Sequence, residues 1–504
     1  MTNHSPWRTA GLATLGLSVV LALVPATQSV AAPSLDAAPA AASTQDQVLR
    51  PIEGRYLVTL AGTTALNGTF LTTGSAAAVS ALIASAGGTI VNNLSRQIGV
   101  LTVQSTSPTF AQVLGASALV DSVGNDFAVR MPNNPAPDPS ADPLEPLQWD
   151  MQQIRTEQAH AIQAGVPAVD VGVLDSGIDG RHPDFQKAGV SNVDCARGRN
   201  SLASLPPGVA VGTPDPCTDN QFHGTHVAGT IGARANGIGI VGVAPNVTLV
   251  PVKVCDATGY CYASPVVDGI TYSGDQKFDV INMSFFVDDN AFQESHEFKC
   301  SSDPIQRTFR RAVERAIDYA RSQGVTPVAA LGNSDQDLAH PVDETGQPIS
   351  NECEVVPAET QGVIGTSALG PKSEKAGYSN YGVGMNDVAA PGGNGSTGDC
   401  ATTILSTFPG GGYVCIQGTS MASPHAAGVA ALIVSQYGQL GPDGDMKMPP
   451  QKVEALLQST TIDIGLPGYD ECFGNGRIDA LRAVTGDTSQ VYDPTAPACP
   501  EYSE

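Results

Sequence analysis

Three short blocks carry residue types that suit nucleophilic catalysis. In Val171-Gly-Val-Leu-Asp175-Ser-Gly177, an apolar run ends in an acid followed by glycine. An acid closing a buried strand stands where open α/β sheets collect functional groups, outside the carboxyl ends of their strands. In His223-Gly-Thr-His-Val-Ala-Gly229, an imidazole opens a stretch of small residues able to pass close to neighbouring backbone. In Gly418-Thr-Ser420-Met-Ala-Ser-Pro424, the proline is tolerable in a helix only near its start, so Ser420 falls close to a helix N-terminus. A serine hydroxyl is a weak nucleophile until an imidazole takes its proton. That imidazole needs an acid to hold its tautomer and stabilise the imidazolium. A helix N-terminus at the serine adds backbone donors for a developing oxyanion. Singly, Asp175 suits a turn, Ser420 an N-cap and His223 a packed interior. Their joint occurrence in order points to catalysis.

In that order these blocks resemble the signature blocks of the subtilisin-like serine proteases, over residues 148–485. The resemblance implies an α/β, three-layer fold with a mostly parallel central sheet. It also implies that Asp175 orients, His223 serves as general base and then acid, and Ser420 attacks the scissile carbonyl. The segment Val328-Ala-Ala-Leu-Gly-Asn333 resembles the family's oxyanion segment, with Leu331 in place of the usual alanine, and implies that the Asn333 amide and the Ser420 N–H bind the oxyanion. Substrate would lie extended between two edges, Ser284-Phe285-Phe286 and Gly259-Tyr260-Cys261. Phe286 replaces a common glycine and is expected to narrow the cleft. Catalysis requires no cofactor. A structural Ca²⁺ site is implied by Asp184, Asn236 and the carbonyls of Arg234, Ile238 and Ile240, a set of hard oxygen ligands.

The elements that must position these residues follow from composition and pattern. The chain has 504 residues, 25 basic against 49 acidic, for a formal charge of −24, which disfavours nucleic acid as a partner. Residues 1–32 read as a signal peptide: Arg8 precedes an apolar stretch at 11–24 that is short for a membrane span, followed by small residues at 29–32. A secreted, extracellular protein without a membrane anchor is expected, and nothing demands more than a monomer. All ten cysteines lie after residue 190, as expected of disulfides formed in an oxidising compartment. Counting leaves their connectivity open. Pairing in sequence order is the expectation: Cys195–Cys217, Cys255–Cys261, Cys300–Cys353, Cys400–Cys415 and Cys472–Cys499.

Residues 33–147 form a separate region with a core at about 50–130. Strands at 55–60, 89–91, 98–103 and 120–129 and helices at 76–86 and 108–119 give a β-α-β-β-α-β order, a small α+β ferredoxin-like module. It contains no cysteine, lysine or histidine, so nothing in it looks catalytic. It resembles the inhibitory pro-domain of the same proteases, which implies that it acts on its own chain as intramolecular chaperone and inhibitor. The proline-rich stretch 132–143 reads as an extended, cleavable linker. From residue 148, apolar strands at 169–174, 249–254, 278–283, 325–330 and 362–367 alternate with helical stretches such as 309–323, the pattern of a parallel sheet covered on both faces. Pro327 is expected to force a local bulge. Residues 287–306 read as an insertion beside the cleft, and 486–504 as a polar tail. Together these features predict a secreted serine endopeptidase acting on protein or peptide substrates and made as a self-processing zymogen. A narrow processing peptidase is a second reading, motivated by Phe286 and the insertion. A catalytically silent binding protein is a third, although every catalytic position is filled.

Overall fold

The computed structural model describes residues 50–64, 69–130, 144–286, 304–342, 347–348, 354–442 and 444–499. The signal segment, the linker at 132–143, most of the insertion and the Cys300–Cys353 pair lie outside the described residues.

The amino-terminal module runs β1 (Arg50–Leu60), a small hairpin of β2 (Gly62–Thr64) and β3 (Phe70–Thr72), α1 (Ala76–Ser85), β4 (Gly88–Leu94), β5 (Val100–Ser105), α2 (Phe110–Gly115) and β6 (Val120–Arg130). The order matches the sequence pattern apart from the added hairpin. The second helix is shorter than expected because only Phe110 and Leu114 reach the core, while Val113 faces solvent.

The C-terminal block opens with α3 (Trp149–Gln153), α4 (Thr156–His160), β7 (Asp170–Asp175), the short β8 (Gln186–Lys187) and β9 (Val190–Ser191), then β10 (Arg199–Asn200). It continues through α5 (His223–Gly232), β11 (Thr248–Lys253), β12 (Tyr260–Tyr262), α6 (Ala263–Gln276), β13 (Val280–Met283), α7 (Pro304–Ser322) and β14 (Thr326–Ala330). Then come β15 (Ile364–Leu369), β16 (Val388–Pro391), the hairpin β17 (Ile404–Phe408) and β18 (Gly412–Ile416), and α8 (Thr419–Tyr437). Seven strands form one sheet in the order β10-β11-β7-β13-β14-β15-β16, parallel throughout. Successive side chains of a strand point to opposite faces. Accordingly Val171, Val173, Val280, Val328 and Ile364 pack with residues of α5 and α8, whereas Leu174, Val252, Ile281 and Ala329 pack with α6 and α7. The result is a three-layer sandwich. Strand order reverses around β7, which puts the switch-point crevice at the end of that strand.

Pro327 causes no bulge, contrary to the sequence expectation. Its pairing with Ile281 is in unbroken register. Thr326 donates its N–H to Asp279 on the β13 side, so the missing donor of Pro327 faces β15, whose ladder begins one residue later at Val328. Among the described residues, disulfides join Cys195–Cys217, Cys255–Cys261, Cys400–Cys415 and Cys472–Cys499, as sequence order suggested. The last of these ties the tail onto the block, where Asp493 and Asp463 also bond through their backbones.

The two regions share a sheet. The module's strands run β6-β1-β5-β4, and β12 of the C-terminal block adds to the free edge of β6. The pairing is antiparallel, Tyr260 with Arg130, Cys261 with Val129 and Tyr262 with Ala128. The face of this sheet bearing Leu57, Phe127 and Val129 packs on α6 and α7 residues such as Val266, Phe309 and Val313. Beside that contact, Arg55 of β1 and Asp126 of β6 form a buried ion pair at 2.8 Å, and Arg55 also donates to the Ser204 hydroxyl of the C-terminal block. Asp126 also accepts the Ser264 N–H in the first turn of α6, where a carboxylate complements the helix dipole. Arg315 of α7 reaches back to Asp121, to the carbonyls of Leu60 and Gly99, and over the Phe70 ring.

Buried Asp279, which accepts the Asp170 N–H at 2.9 Å, carries a measurable consequence. Burial pushes its carboxyl up to about 8. An unfolded aspartate loses that proton near pH 4, so the folded chain binds an extra proton between these values. Its contribution to stability therefore falls as pH rises from about 4 to 8. Asp279→Asn keeps an acceptor but removes the titration. In calorimetry the variant should melt close to the native chain at pH 5 and several degrees above it at pH 9.

Candidate active site

β7 delivers Asp175 to the switch point, fully buried. His223, the first residue of α5, meets it there: its Nδ1 lies 2.9 Å from Asp175 Oδ2 and 3.1 Å from Oδ1. A carboxylate only accepts, so Nδ1 carries the hydrogen and the neutral ring keeps its lone pair on Nε2. That Nε2 is buried and makes no hydrogen bond. The approach depends on Gly224, where a Cβ would sit 2.1 Å from the Gly177 carbonyl and 3.0 Å from the Asp175 Cβ.

Sequence reasoning missed the residue that braces this corner. Asp219 Oδ1 accepts the Ser176 hydroxyl and the N–H groups of Gln221 and Phe222, while Oδ2 accepts the N–H and hydroxyl of Thr225. It thereby holds Phe222, the N-cap of α5, at φ +115°, a costly conformation for a bulky residue. An acid four residues ahead of a predicted helix start was the available signal, since carboxylates favour helix N-termini. His425 lies on α8, five residues beyond Ser420. Its ring bonds Asp150 of α3 at 2.9 Å and the Met421 carbonyl at 2.8 Å, both His425 and Asp150 being fully buried. The pair fixes α8 to the start of the block.

Ser420 sits in the first turn of α8, which packs against α5. Its carbonyl accepts the Ser284 hydroxyl at 2.8 Å, and Asn282 donates to that hydroxyl while accepting from Ser423. Ser284, expected on a substrate edge, thus also fixes the serine's backbone. Asn333 follows β14. Its Oδ1 accepts the N–H of Thr419 at 2.9 Å and the hydroxyl at 2.8 Å, which turns its Nδ2 the other way. A Cβ on Gly418 would lie 3.6 Å from both Asn333 Nδ2 and Ser420 N, so the two donors flank one spot that only glycine leaves clear. The structure thus joins Asp175 to His223 and Asn333 to the Ser420 turn. The Ser420 hydroxyl and His223 Nε2 make no hydrogen bond with each other. Such contacts are often long without substrate and tighten when it binds.

Phe285 and Phe286 are buried with Leu331, Leu338 and Val355, and the Phe286 ring would lie 3.6 Å from a Cβ on Gly332. It therefore packs against the segment leading to Asn333. On the other edge Gly259 takes φ +84° in a turn closed by the Cys255–Cys261 disulfide. Asp256 receives the N–H groups of Thr258 and Tyr260 there. The strand lying along that edge is the chain's own 128–130.

The residues expected to hold calcium come together from two segments, the turn at Asp184 and the loop 234–240. Asp184 Oδ2 accepts the Ile240 N–H at 2.9 Å, its carbonyl accepts from Arg234, and Asn236 Nδ2 donates to the carbonyls of Pro183 and Gln186. Asn236 Oδ1 accepts the Ile238 N–H. The oxygens fit Ca²⁺ in kind, and two of them already serve loop N–H groups that an ion would compete with. The only cluster of three potential metal-ligating His, Cys, Asp or Glu side chains among the described residues, Glu471 with Cys472 and Cys499, includes a disulfide.

Residues 167–476 match the Subtilase family. The chain belongs to that family. It is 34% identical over 335 residues to Subtilisin NAT of Bacillus subtilis subsp. natto, covering 66% of this chain and 70% of the relative. The subtilisin of Bacillus pumilus is also 34% identical over 335 residues, covering 66% of this chain and 98% of the relative. Among solved structures, the epidermin leader peptide processing serine protease of Staphylococcus aureus superposes with a TM-score of 0.64 at 20% identity. That match covers 88% of this chain and 99% of the other. A lanthipeptide protease superposes at 0.53 with 26% identity, covering 67% and 93%. This subtilase is therefore a serine endopeptidase acting on protein or peptide substrates, built on the fold its seven parallel strands describe. No helix among its described residues is long and apolar enough to cross a membrane.

Proposed function

We propose that Asp175, His223 and Ser420 are the catalytic triad of this subtilase, with Asn333 Nδ2 and the Ser420 N–H as oxyanion donors. The observation that carries this reading is the two-oxygen contact of Asp175 with His223 Nδ1, which leaves Nε2 as the base. Ser420 gives up its proton to Nε2 as its oxygen bonds the scissile carbonyl carbon. The imidazolium then returns that proton to the departing amine, and water hydrolyses the acyl-enzyme by the same route. Fluorophosphonate labelling of the purified peptidase tests the assignment. The label belongs on Ser420, and an unlabelled protein would favour the silent-scaffold reading. Asn333→Ala should lower kcat by about 10²–10³-fold with little change in KM, as read by steady-state kinetics on a peptide ester.

The module at 50–130 is, in this reading, a pro-domain that leaves by self-cleavage within 130–147. The antiparallel pairing of 128–130 with β12 supports it, because the module then occupies the edge at Gly259–Cys261 that a substrate strand would use. Export guided by residues 1–32 fits the disulfides, and a monomer suffices. The narrow processing reading draws support from Phe286 against the segment leading to Asn333 and from the likeness to an epidermin leader peptide processing protease and a lanthipeptide protease. A peptide-library digest separates it from broad proteolysis. Ca²⁺ binds the Asp184 loop in this reading, so excess EDTA is expected to lower the melting temperature by a few degrees, reversibly on adding Ca²⁺. An unchanged melt would exclude it.

A further inference from the structure

Arg50 marks a place for a cation beside the peptide-binding edge. It opens β1 opposite Ala128 of β6, and Ala128 is itself opposite Tyr262 of β12. Because Ala128 is small, the Arg50 side chain reaches β12 from one strand further out. Its guanidinium carbon lies 4.9 Å from the Tyr260 ring centroid and 5.9 Å from that of Tyr262, within range of cation–π attraction. Its Nη2 donates to the Val209 carbonyl at 2.7 Å and to the Tyr262 hydroxyl at 3.1 Å. That hydroxyl donates in turn to Asp256 Oδ2 at 2.8 Å, so a fully buried carboxylate stands behind the acceptor.

The C-terminal block builds this site from its own parts. Asp256 also accepts the Val211 N–H, which joins the β12 turn to the loop carrying Val209. The disulfides Cys255–Cys261 and Cys195–Cys217 clip these two walls. Two aromatic faces, a carbonyl and a backing carboxylate thus stay in place when the module departs, and the chain's formal charge of −24 adds an attractive field for cations.

We propose that Tyr260, Tyr262, Asp256 and the Val209 carbonyl form a subsite for a lysine or arginine side chain of the substrate, which Arg50 fills while the module is attached. The inference rests on the peptidase reading and deepens it. A substrate strand replacing β6 on the β12 edge presents its residue at the Ala128 register beside Tyr262, and a long cationic side chain there reaches the position Arg50 holds. Two aromatic faces and a charge-backed acceptor are worth about tenfold in affinity.

The test uses the processed peptidase and synthetic peptides spanning residues 120–140, as the native sequence and with Ala128→Arg or Ala128→Glu. Competition against casein hydrolysis reads binding whether or not a peptide is cut. The Ala128→Arg peptide should compete about tenfold better than the native one and the Ala128→Glu peptide worse. In the Tyr260→Leu and Tyr262→Phe enzymes the advantage of arginine should shrink toward unity; the second change keeps the buried ring. Equal competition by all three peptides, or an advantage of arginine that survives both substitutions, would overturn the proposal. A protein that neither digests casein nor takes the fluorophosphonate label would overturn the peptidase reading instead.

Discussion

The Ser420→Ala chain is expected to accumulate with its amino-terminal module still attached, while the native chain separates into module and peptidase. Residual hydrolysis by the variant should fall by about six orders of magnitude in kcat, a magnitude taken from the same loss in a subtilisin. The physical basis is local. In the proposed mechanism the Ser420 hydroxyl oxygen bonds the carbonyl carbon, and alanine leaves the flanking donors, Asn333 Nδ2 and the N–H of residue 420, where they are. The folded structure has no need of the hydroxyl, since the backbone of residue 420 is held through Ser284 and that of Thr419 through Asn333. Gel electrophoresis of the expressed variant and mass spectrometry of the native product read the result together. A Ser420→Ala chain that still processes, free of other proteases, would show that the module is removed in some other way.

Asp175→Asn should have the second-largest effect, about 10⁴-fold in kcat with KM little altered. Asp175 lies fully buried and takes one hydrogen from His223 Nδ1 and another from the Ser176 N–H. An amide at this position offers its own N–H toward the ring. Nδ1 then becomes the acceptor and the proton moves to Nε2, which can no longer take the serine's hydrogen. Active-site titration separates this from misfolding, because the variant should remain soluble, with the native melting profile, while labelling slowly. A variant with near-native kcat would mean that His223 holds its tautomer without Asp175.

Much of the site was legible in the sequence because each motif carries local physics. The apolar strand ending at Asp175, the small residues after His223 and the proline after Ser420 each constrain a few neighbouring residues, and the structure places them at a strand end and at two helix starts. Pro327 was misread for a related reason. A strand's pattern shows that a donor is missing, whereas only the ladder shows that this donor faces a neighbour not yet begun. Asp219 escaped notice because its five hydrogen bonds span a turn whose path its own residues do not announce.

By itself the sequence determined the parallel-sheet architecture, the β-α-β-β-α-β order ahead of it and the presence of residue types that suit acyl transfer, since period and composition act over a few residues at a time. Tertiary structure alone decided that β12 would extend the module's sheet, that Asp126 would sit at the first turn of α6 with Arg55 beside it, and that Arg50 would reach two tyrosines more than 200 positions away. Those contacts depend on strand register and on which faces meet. Both are set by burying apolar surface between segments far apart in the chain, a quantity that no local pattern records.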